Sequence, residues 1–242
     1  MSKINKLKIK IFADGAEPKQ MYELDKKEHV KGFTTNPTLM RKAGIKDYKQ
    51  FALELLNKIK KKPISFEVFS DDIKTMEEQA KEIFSWGNNI NVKIPISNTK
   101  GESTVDLIGR LSKQGIVCNV TAMFTIEQVK NVVSVLNPST PAILSVFAGR
   151  IADSGIDPMK IMKESVSISK QKPNSEILWA STREIINIFQ AEEAGCQIIT
   201  VPHQIINKFS SIGKALENYS LETVSAFYED AKAAGYSIKV TK

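Results

Sequence analysis

Histidine, cysteine and tryptophan are scarce in this sequence, two of each in 242 residues, and four arginines stand against 30 lysines. Cys118 and Cys196 lie in apolar, strand-like settings without CxxC or CxxH spacing. That excludes a disulfide framework and a cysteine-based zinc site, and it reads as two buried, reduced thiols of a cytoplasmic protein. His29 and His203 stand far apart with no acidic cluster beside them, so no metal site is expected. His29 reads as a surface residue in a charged linker, and His203 as a group that caps or hydrogen-bonds locally. No apolar run approaches the roughly 18 residues of a membrane-spanning helix, and the opening MSKINKLKIK lacks the apolar core of a secretion signal. No membrane partner is expected. Neither a Walker A sequence nor GxGxxG follows a strand pattern, so nucleotide use is unsupported. A GxSxG turn is missing as well, and neither cysteine has a histidine placed with it.

The net charge of +7 is made of scattered lysine. Nucleic-acid binders cluster arginine with aromatics on one face, and no such cluster is visible, so nucleic acid is not an expected partner. A diffuse basic surface also suits anionic small substrates, through a modest steering field.

What is present is an ordinary globular balance, 42% hydrophobic and 25% charged. Length alone leaves one large domain or two small ones open. Short β-rich runs are predicted at 8–14, 30–35, 64–69, 90–96, 116–121, 142–147, 176–181 and 197–202. Between them come stretches with apolar residues on one helical face, such as Ile73, Met76, Ala80 and Ile83, or Ile126, Val129, Val133 and Leu136. Asp71 and Asp72 are candidate N-caps, and Gly195 sits where a helix should stop. Eight consecutive βα units without a linker predict an α/β fold, a (β/α)8 TIM barrel, as a single domain over residues 1–242. A doubly wound open sheet is the alternative, and the missing glycine-rich fingerprint weighs against it. Residues 220–237 are expected to form an extra C-terminal helix. Its Leu221, Val224, Phe227 and Tyr228 make an apolar stripe that must cover its own barrel or a neighbour.

In such a barrel, chemistry belongs at the carboxyl ends of the strands. Asp14 closes the first strand, and Thr34, Thr35 and Asn36 close the second. Glu67 lies in the third and Lys93 in the fourth, inside NVKIPIS, where Val92, Ile94 and Ile96 alternate with Asn91, Lys93 and Pro95. Asn119 and Thr121 end the fifth, and Ser145 belongs to the sixth, with Arg150 after it. Arg183 follows the seventh, and His203 the eighth. Each residue alone has a plainer reading. Asp14 suits a helix cap, the threonines and Asn36 a turn before Pro37, and the two arginines structural salt bridges. Glu67 and Lys93 also suit a buried ion pair, since either charge alone inside an apolar strand is costly. Together, nearly every strand delivers a reactive or hydrogen-bonding group to one rim, and two of only four arginines there suit a phosphate gripped bidentately.

The stretches FADGAEP, GFTTNPTL, ISFEVF, VKIPIS, NVTAMFT, SVFAGRIAD and WASTRE, in that order over residues 11–184, resemble the short form of the transaldolase family. The resemblance implies a class I aldolase mechanism without a cofactor, acting on small-molecule sugar phosphates. Lys93 matches the Schiff-base lysine, which attacks the C2 ketone of a ketose phosphate. An apolar, crowded site disfavours a charged amine and so favours the form that attacks. Glu67 and Thr121 match the pair that moves protons through a water, and Asp14 the base that takes the C4 hydroxyl proton. Thr34 is counted with the substrate-binding rim. Asn36, Asn119 and Ser145 match groups that hold the dihydroxyacetone hydroxyls, Phe147 an aromatic wall, and Arg150 with Arg183 the phosphate clamp. A homo-oligomer is implied too, with dimers through large rings left open.

Two activities compete within the resemblance. A transaldolase passes the dihydroxyacetone unit from fructose 6-phosphate or sedoheptulose 7-phosphate to an aldose phosphate, whereas a fructose-6-phosphate aldolase releases it. The aldolase branch tends to carry glutamine, tyrosine and lysine where this chain has Glu67, Phe147 and Arg183, so the transferase is expected. A catalytically silent barrel that binds phosphorylated sugars is the reading from another class. The chain also departs from the family pattern at the rim. It has Gly15 where the first strand usually runs Asp-Thr or Asp-Ser, Val146 for a proline, Thr182 for a phenylalanine, and His203 for an apolar or small residue. These departures put the sugars in question more than the lysine.

Overall fold

The computed structural model describes residues 3–240. Eight parallel strands close into a barrel in sequence order. They are β1 Lys10–Asp14, β2 Val30–Thr34, β3 Ile64–Glu67, β4 Ile90–Pro95, β5 Cys118–Met123, β6 Ala142–Val146, β7 Ser175–Trp179 and β8 Ile198–Pro202. Helices lie between successive strands, and β8 returns to pair with β1, so the fold is the (β/α)8 barrel. The open sheet is excluded by that closure.

All eight expected strands are present, with edges moved for local reasons. β5 begins two residues later than expected because the preceding helix, Val105–Lys113, has not finished. Gly115 takes φ +79° and Ile116 N–H still reaches back to Leu111 O at 3.1 Å, closing the helix end. β1 begins late because Lys8 and Ile9 N–H are held by the Glu192 carboxylate, at 3.0 and 2.8 Å. β7 ends at Trp179 because the chain turns at Ser181, with φ +65°. Of the two candidate caps, Asp72 accepts Thr75 N–H at 2.8 Å to open the helix Ile73–Ser85. Asp71 instead receives Thr99 N–H at 2.7 Å. Gly195, at φ +81°, does end a helix, Ile186–Glu193.

Period-two alternation divides the apolar residues into two bodies. Val92 and Ile94, with their counterparts on the other strands, join the helices in one continuous core outside the barrel. A smaller cluster of Phe12, Ile143, Leu178 and Ile198 fills the barrel interior and floors the space above it. At the amino end, Lys10 and Glu176 form an ion pair across β8 at 2.6 Å. The floor explains one glycine. A Cβ on Gly32 would lie 2.6 Å from Phe12 Cζ, so β2 carries no side chain where the Phe12 ring crosses it.

The C-terminal helix runs Leu216–Ala233, starting four residues before the expected span and stopping where Gly235 adopts φ +69°. It buries no residue on its own barrel. Leu221, Val224, Phe227 and Tyr228 are 61–69% exposed. Among the described residues no helix is long and apolar enough to cross a membrane.

Gly32→Ala should cost about 1–3 kcal/mol of stability by overpacking the barrel floor. In urea unfolding, adding Phe12→Leu should recover part of that loss. A Gly32→Ala protein as stable as the parent would mean that the floor has slack.

Candidate active site

Above the floor, at the carboxyl end of the barrel, opens a cavity of about 550 Å³. All eleven site residues expected from the sequence line it: Asp14, Thr34, Asn36, Glu67, Lys93, Asn119, Thr121, Ser145, Phe147, Arg150 and Arg183. Lys42, Ser181, Thr182, Thr200 and Pro202 join them.

The centre follows from strand register. Glu67 pairs with Lys93, and Lys93 with Asn119, so three inward-facing residues of β3, β4 and β5 form one row. Lys93 is 7% exposed. Its Nζ lies 3.0 Å from Glu67 Oε2 and donates to Thr35 O at 2.7 Å. The ion-pair reading of these two residues therefore holds as geometry, and the pair sits on a cavity rather than in a sealed core. Thr35 acts on Lys93 through its carbonyl, while its hydroxyl is spent on Ser65 O at 2.9 Å.

Asp14 does not cap a helix. The next helix, Pro18–Asp25, has Glu17 at its N-cap. Asp14 Oδ1 instead accepts from Thr34 Oγ1 at 2.7 Å. Thr34 has one hydroxyl proton, so its second contact, with Thr200 Oγ1, makes Thr200 the donor. The chain of donors runs Thr200, Thr34, Asp14. Burial raises the pKa of Asp14 above the ordinary carboxylate value, against the opposing pull of Lys93 and of the Thr34 hydrogen bond. A second chain runs across the floor, from Ser145 Oγ to Asn119 Oδ1 at 2.6 Å and from Asn119 Nδ2 to Ser65 Oγ at 3.0 Å. Thr121 lies within a break in the β5–β6 register between Val120 and Met123, and Ala122 takes φ +59° there. A bulge of this kind re-aims the side chains beside it.

Asn36 fulfils its plainer reading and still lines the cavity. Its Oδ1 accepts Leu39 N–H at 3.0 Å at the head of the helix Pro37–Lys42. The two arginines are gathered by a backbone contact. Gly149 N–H donates to Ala180 O at 3.2 Å, and a Cβ on Gly149 would fall 1.5 Å from Ser181 O. The helix Ala148–Asp153, which follows β6, therefore touches the turn after β7 directly. Arg150 lies over the Phe147 ring at 5.4 Å. Arg183 is held by Asp153, with Nη2–Oδ2 at 2.5 Å and Nε–Oδ1 at 3.2 Å, and this hydrogen bonding raises its pKa further. Its salt-bridge reading is thus met, with the guanidinium half-exposed at the cavity rim.

Thr200 was missed by sequence reasoning, although it stands in an apolar strand at the inward step between Ile198 and Pro202. Period-two alternation would have found it. The two histidines are the corrections. His29 is half-buried against Phe209, with ring centroids 5.7 Å apart, and its Nε2 has no partner. It is not the surface residue expected of a charged linker. His203 bonds Gln20 through Nδ1 and is buried, with Nε2 unpartnered. Its ring fills the place of a side chain at residue 15, since a Cβ on Gly15 would meet the ring at 2.7 Å. The two cysteines are buried, and burial pushes both thiols up to about 12.

Comparison with known proteins supplies the context. A family model described as Transaldolase/Fructose-6-phosphate aldolase matches residues 11–240. A probable transaldolase of Dehalococcoides mccartyi is 34% identical over 199 residues, 82% of this chain and 88% of the relative. One from Thermoanaerobacter sp. is 33% identical over 95% of this chain and all of the relative. A third, from Nitrosopumilus maritimus, is 30% identical over 96% of this chain and all of the relative.

Burial lowers the pKa of His203 and of His29, the latter helped by Lys27, Lys62 and Lys31. As pH falls below the ordinary histidine value of about 6.5, the unfolded chain binds protons that the folded protein refuses. Stability should therefore decline from that pH down to the folded pKa values. The urea midpoint between pH 7 and 5 should show the decline, and His203→Gln with His29→Gln should flatten it. An unchanged slope in the double variant would assign the pH dependence to other groups.

Proposed function

The chain belongs to the transaldolase/fructose-6-phosphate aldolase family, and we propose that it is a transaldolase working through a Schiff base on Lys93. One observation carries the reading: a buried lysine amine faces the barrel cavity 3.0 Å from the Glu67 carboxylate. The Lys93 amine adds to the C2 carbonyl of a ketose phosphate, fructose 6-phosphate or sedoheptulose 7-phosphate, forming a C–N bond. Glu67 and Thr121, acting through a water, supply the proton with which the C2 hydroxyl leaves as water, and an iminium remains. Asp14 then takes the proton of the C4 hydroxyl. The C3–C4 bond breaks, its electron pair moves into the iminium, and an aldose phosphate departs. An incoming aldose phosphate is attacked at its aldehyde carbon by the enamine, and Asp14 returns the proton to the new hydroxyl. Water finally hydrolyses the imine and frees Lys93.

Several features support this order of events. Burial raises the proton affinity of Asp14, which suits a base that must accept from an alcohol. The Thr200–Thr34 chain orients that carboxylate. Asn36, Asn119 and Ser145 are placed to hold the hydroxyls of the three-carbon unit, beside a wall formed by Phe147. Arg150 and Arg183 face the phosphate end, each already oriented by a neighbour. Rigid strands carry the central groups, so little ordering is left to the moment of reaction. Transfer is preferred to release because Glu67, Phe147 and Arg183 resemble the transferase branch.

Borohydride added with fructose 6-phosphate should leave a reduced adduct on the Lys93 peptide, read by mass spectrometry and absent from Lys93→Met. Asp14→Asn should lower kcat by about 10²–10⁴-fold, the range of a lost acid–base group. Free dihydroxyacetone accumulating without an acceptor would shift the assignment to the aldolase. Trapping on no lysine with fructose 6-phosphate, sedoheptulose 7-phosphate or dihydroxyacetone would favour the silent barrel.

We propose further that the chain acts as a homo-oligomer in the cytoplasm, with the helix Leu216–Ala233 packed on a second copy. An isolated helix of that length is marginal in water, and this one has no buried residue on its own chain to hold it. Removing residues 216–242 should reduce the molar mass measured by light scattering to that of one chain. An assembly unchanged apart from the truncation would overturn this packing.

A further inference from the structure

Strand β3 loses its neighbour at the residue the proposed chemistry most needs fixed. β2 and β3 pair at two registers, Phe33↔Ile64 and Thr34↔Ser65. One more backbone bond, Thr35 N–H to Ser65 O at 3.2 Å, ends the ladder. The chain then enters the helix at Pro37, which has no N–H to offer. Successive residues of a parallel strand turn their backbone groups to opposite neighbours. Ser65 faces β2, and Val68 N–H reaches Lys93 O on β4 at 3.1 Å. The N–H and C=O of Glu67 therefore face the side that β2 has vacated, where both need partners.

One hydroxyl meets both. Glu67 N–H donates to Tyr48 Oη at 2.7 Å, and the same hydroxyl donates to Glu67 O at 3.0 Å. Tyr48 is itself rigidly placed. It opens the helix Tyr48–Lys58, whose N-cap Asp47 accepts Gln50 N–H at 2.9 Å. Its ring packs against Phe69 at 4.4 Å, Trp86 at 5.6 Å and Phe66 at 6.1 Å. Phe66 and Phe69 flank Glu67 in the chain, so ring and hydroxyl grip the same segment. Burial pushes the phenol pKa up, so the hydroxyl keeps its proton and can donate.

We propose that Tyr48 is a positioning residue for the reaction at Lys93, its hydroxyl replacing the absent strand beside β3 and holding Glu67 at its working distance from the amine. The inference rests on the proton-transfer role proposed above for Glu67. Glu67 is the last residue of β3, so without this hydroxyl its own N–H and C=O are unpaired and it is held only through its neighbour Val68, which bonds β4. A displacement on the scale of an ångström at such a group costs up to about a hundredfold in rate.

The test uses the full chain, fructose 6-phosphate as donor, and four proteins: wild type, Tyr48→Phe, Glu67→Gln and the double variant. Tyr48→Phe keeps the ring and loses only the hydroxyl. It should slow borohydride-trapped imine formation on Lys93 by about 10–100-fold and lower kcat with KM unchanged. In the Glu67→Gln background the same change should have almost no further effect, because the carboxylate it positions is gone. Equal losses in both backgrounds, or no loss from Tyr48→Phe, would overturn the proposal. Amide hydrogen exchange at Glu67 in the wild type is a second arm that needs no variant to fold. A protected amide is expected, and one exchanging as fast as an exposed loop amide overturns the hold outright. If the wild type traps no sugar at all, the Schiff-base reading fails, and the exchange arm alone decides whether Tyr48 fixes Glu67.

Discussion

The contact between the Lys93 amine and the Glu67 carboxylate inside the barrel is the constraint on which the rest of the architecture depends. Two opposite charges removed from water cost more than they return unless each is also hydrogen-bonded and held in good geometry. The fold meets that demand with backbone. β3–β4 register sets the two residues side by side, Thr35 O accepts a hydrogen bond from the amine, and the Tyr48 hydroxyl secures Glu67 on its open side. An amine satisfied by a carbonyl and one carboxylate oxygen is anchored without being enclosed. It retains a face toward the cavity, and that face distinguishes this pair from a structural ion pair in a dry core.

Around that centre the barrel is layered by chemistry. The aromatic and aliphatic floor of Phe12, Ile143, Leu178 and Ile198 seals the lower interior. One step up the strands come the polar groups. Two side-chain relays, Thr200–Thr34–Asp14 and Ser145–Asn119–Ser65, leave few free rotors facing the space where a sugar would lie. The positive-φ residues Ala122 and Ser181 both line the cavity. Non-glycine residues in that region carry strain that the surrounding structure has to override. Here the override is visible at Ser181, whose carbonyl is wedged against Gly149. That wedge brings the helix bearing Arg150 and the turn leading to Arg183 together.

The fold was legible because its code is periodic. Eight strands with outward aliphatics and inward polar residues repeat at βα spacing, and the eleven rim residues fall at the carboxyl ends where the barrel brings them into one cavity. What escaped the sequence was anything depending on neighbours distant in the chain. Tyr48 opens a helix between β2 and β3 and carries no mark of the role proposed for it, which arises because the chain leaves the ladder at Pro37, where β2 would have paired with Glu67. His29 looked solvated from its charged flanks, yet Phe209, 180 residues later, covers it. Strand edges slipped where local backbone geometry intervened: at Ile116 a capping bond carried the previous helix further, and at Ser181 a positive φ ended β7 early.

Two of the rim positions where the sequence reads as departing from the transaldolase pattern, Gly15 and His203, meet in the structure. Gly15 removes a side chain next to Asp14, and the His203 ring fills that place, too close to Gly15 for any Cβ. The two residues fit each other sterically. A larger residue 15 beside His203 overlaps the ring, while Gly15 without the ring leaves a void next to the proposed base. The exchange replaces a side chain on the β1 loop with one on the segment after β8. His203 and Gln20 then fix each other, and Gly15 N–H stays bonded to Thr34 O at 3.1 Å. Asp14 is thereby carried on a backbone tied to both neighbouring strands, while a hydroxyl that the usual Asp-Thr or Asp-Ser start would supply is absent. The chemistry proposed at Lys93 does not use that hydroxyl. What changes is the polarity of the wall beside Asp14, so in the proposed reaction the Gly15–His203 pair bears on the side of the cavity assigned to the C4 hydroxyl and leaves the Lys93–Glu67 contact untouched.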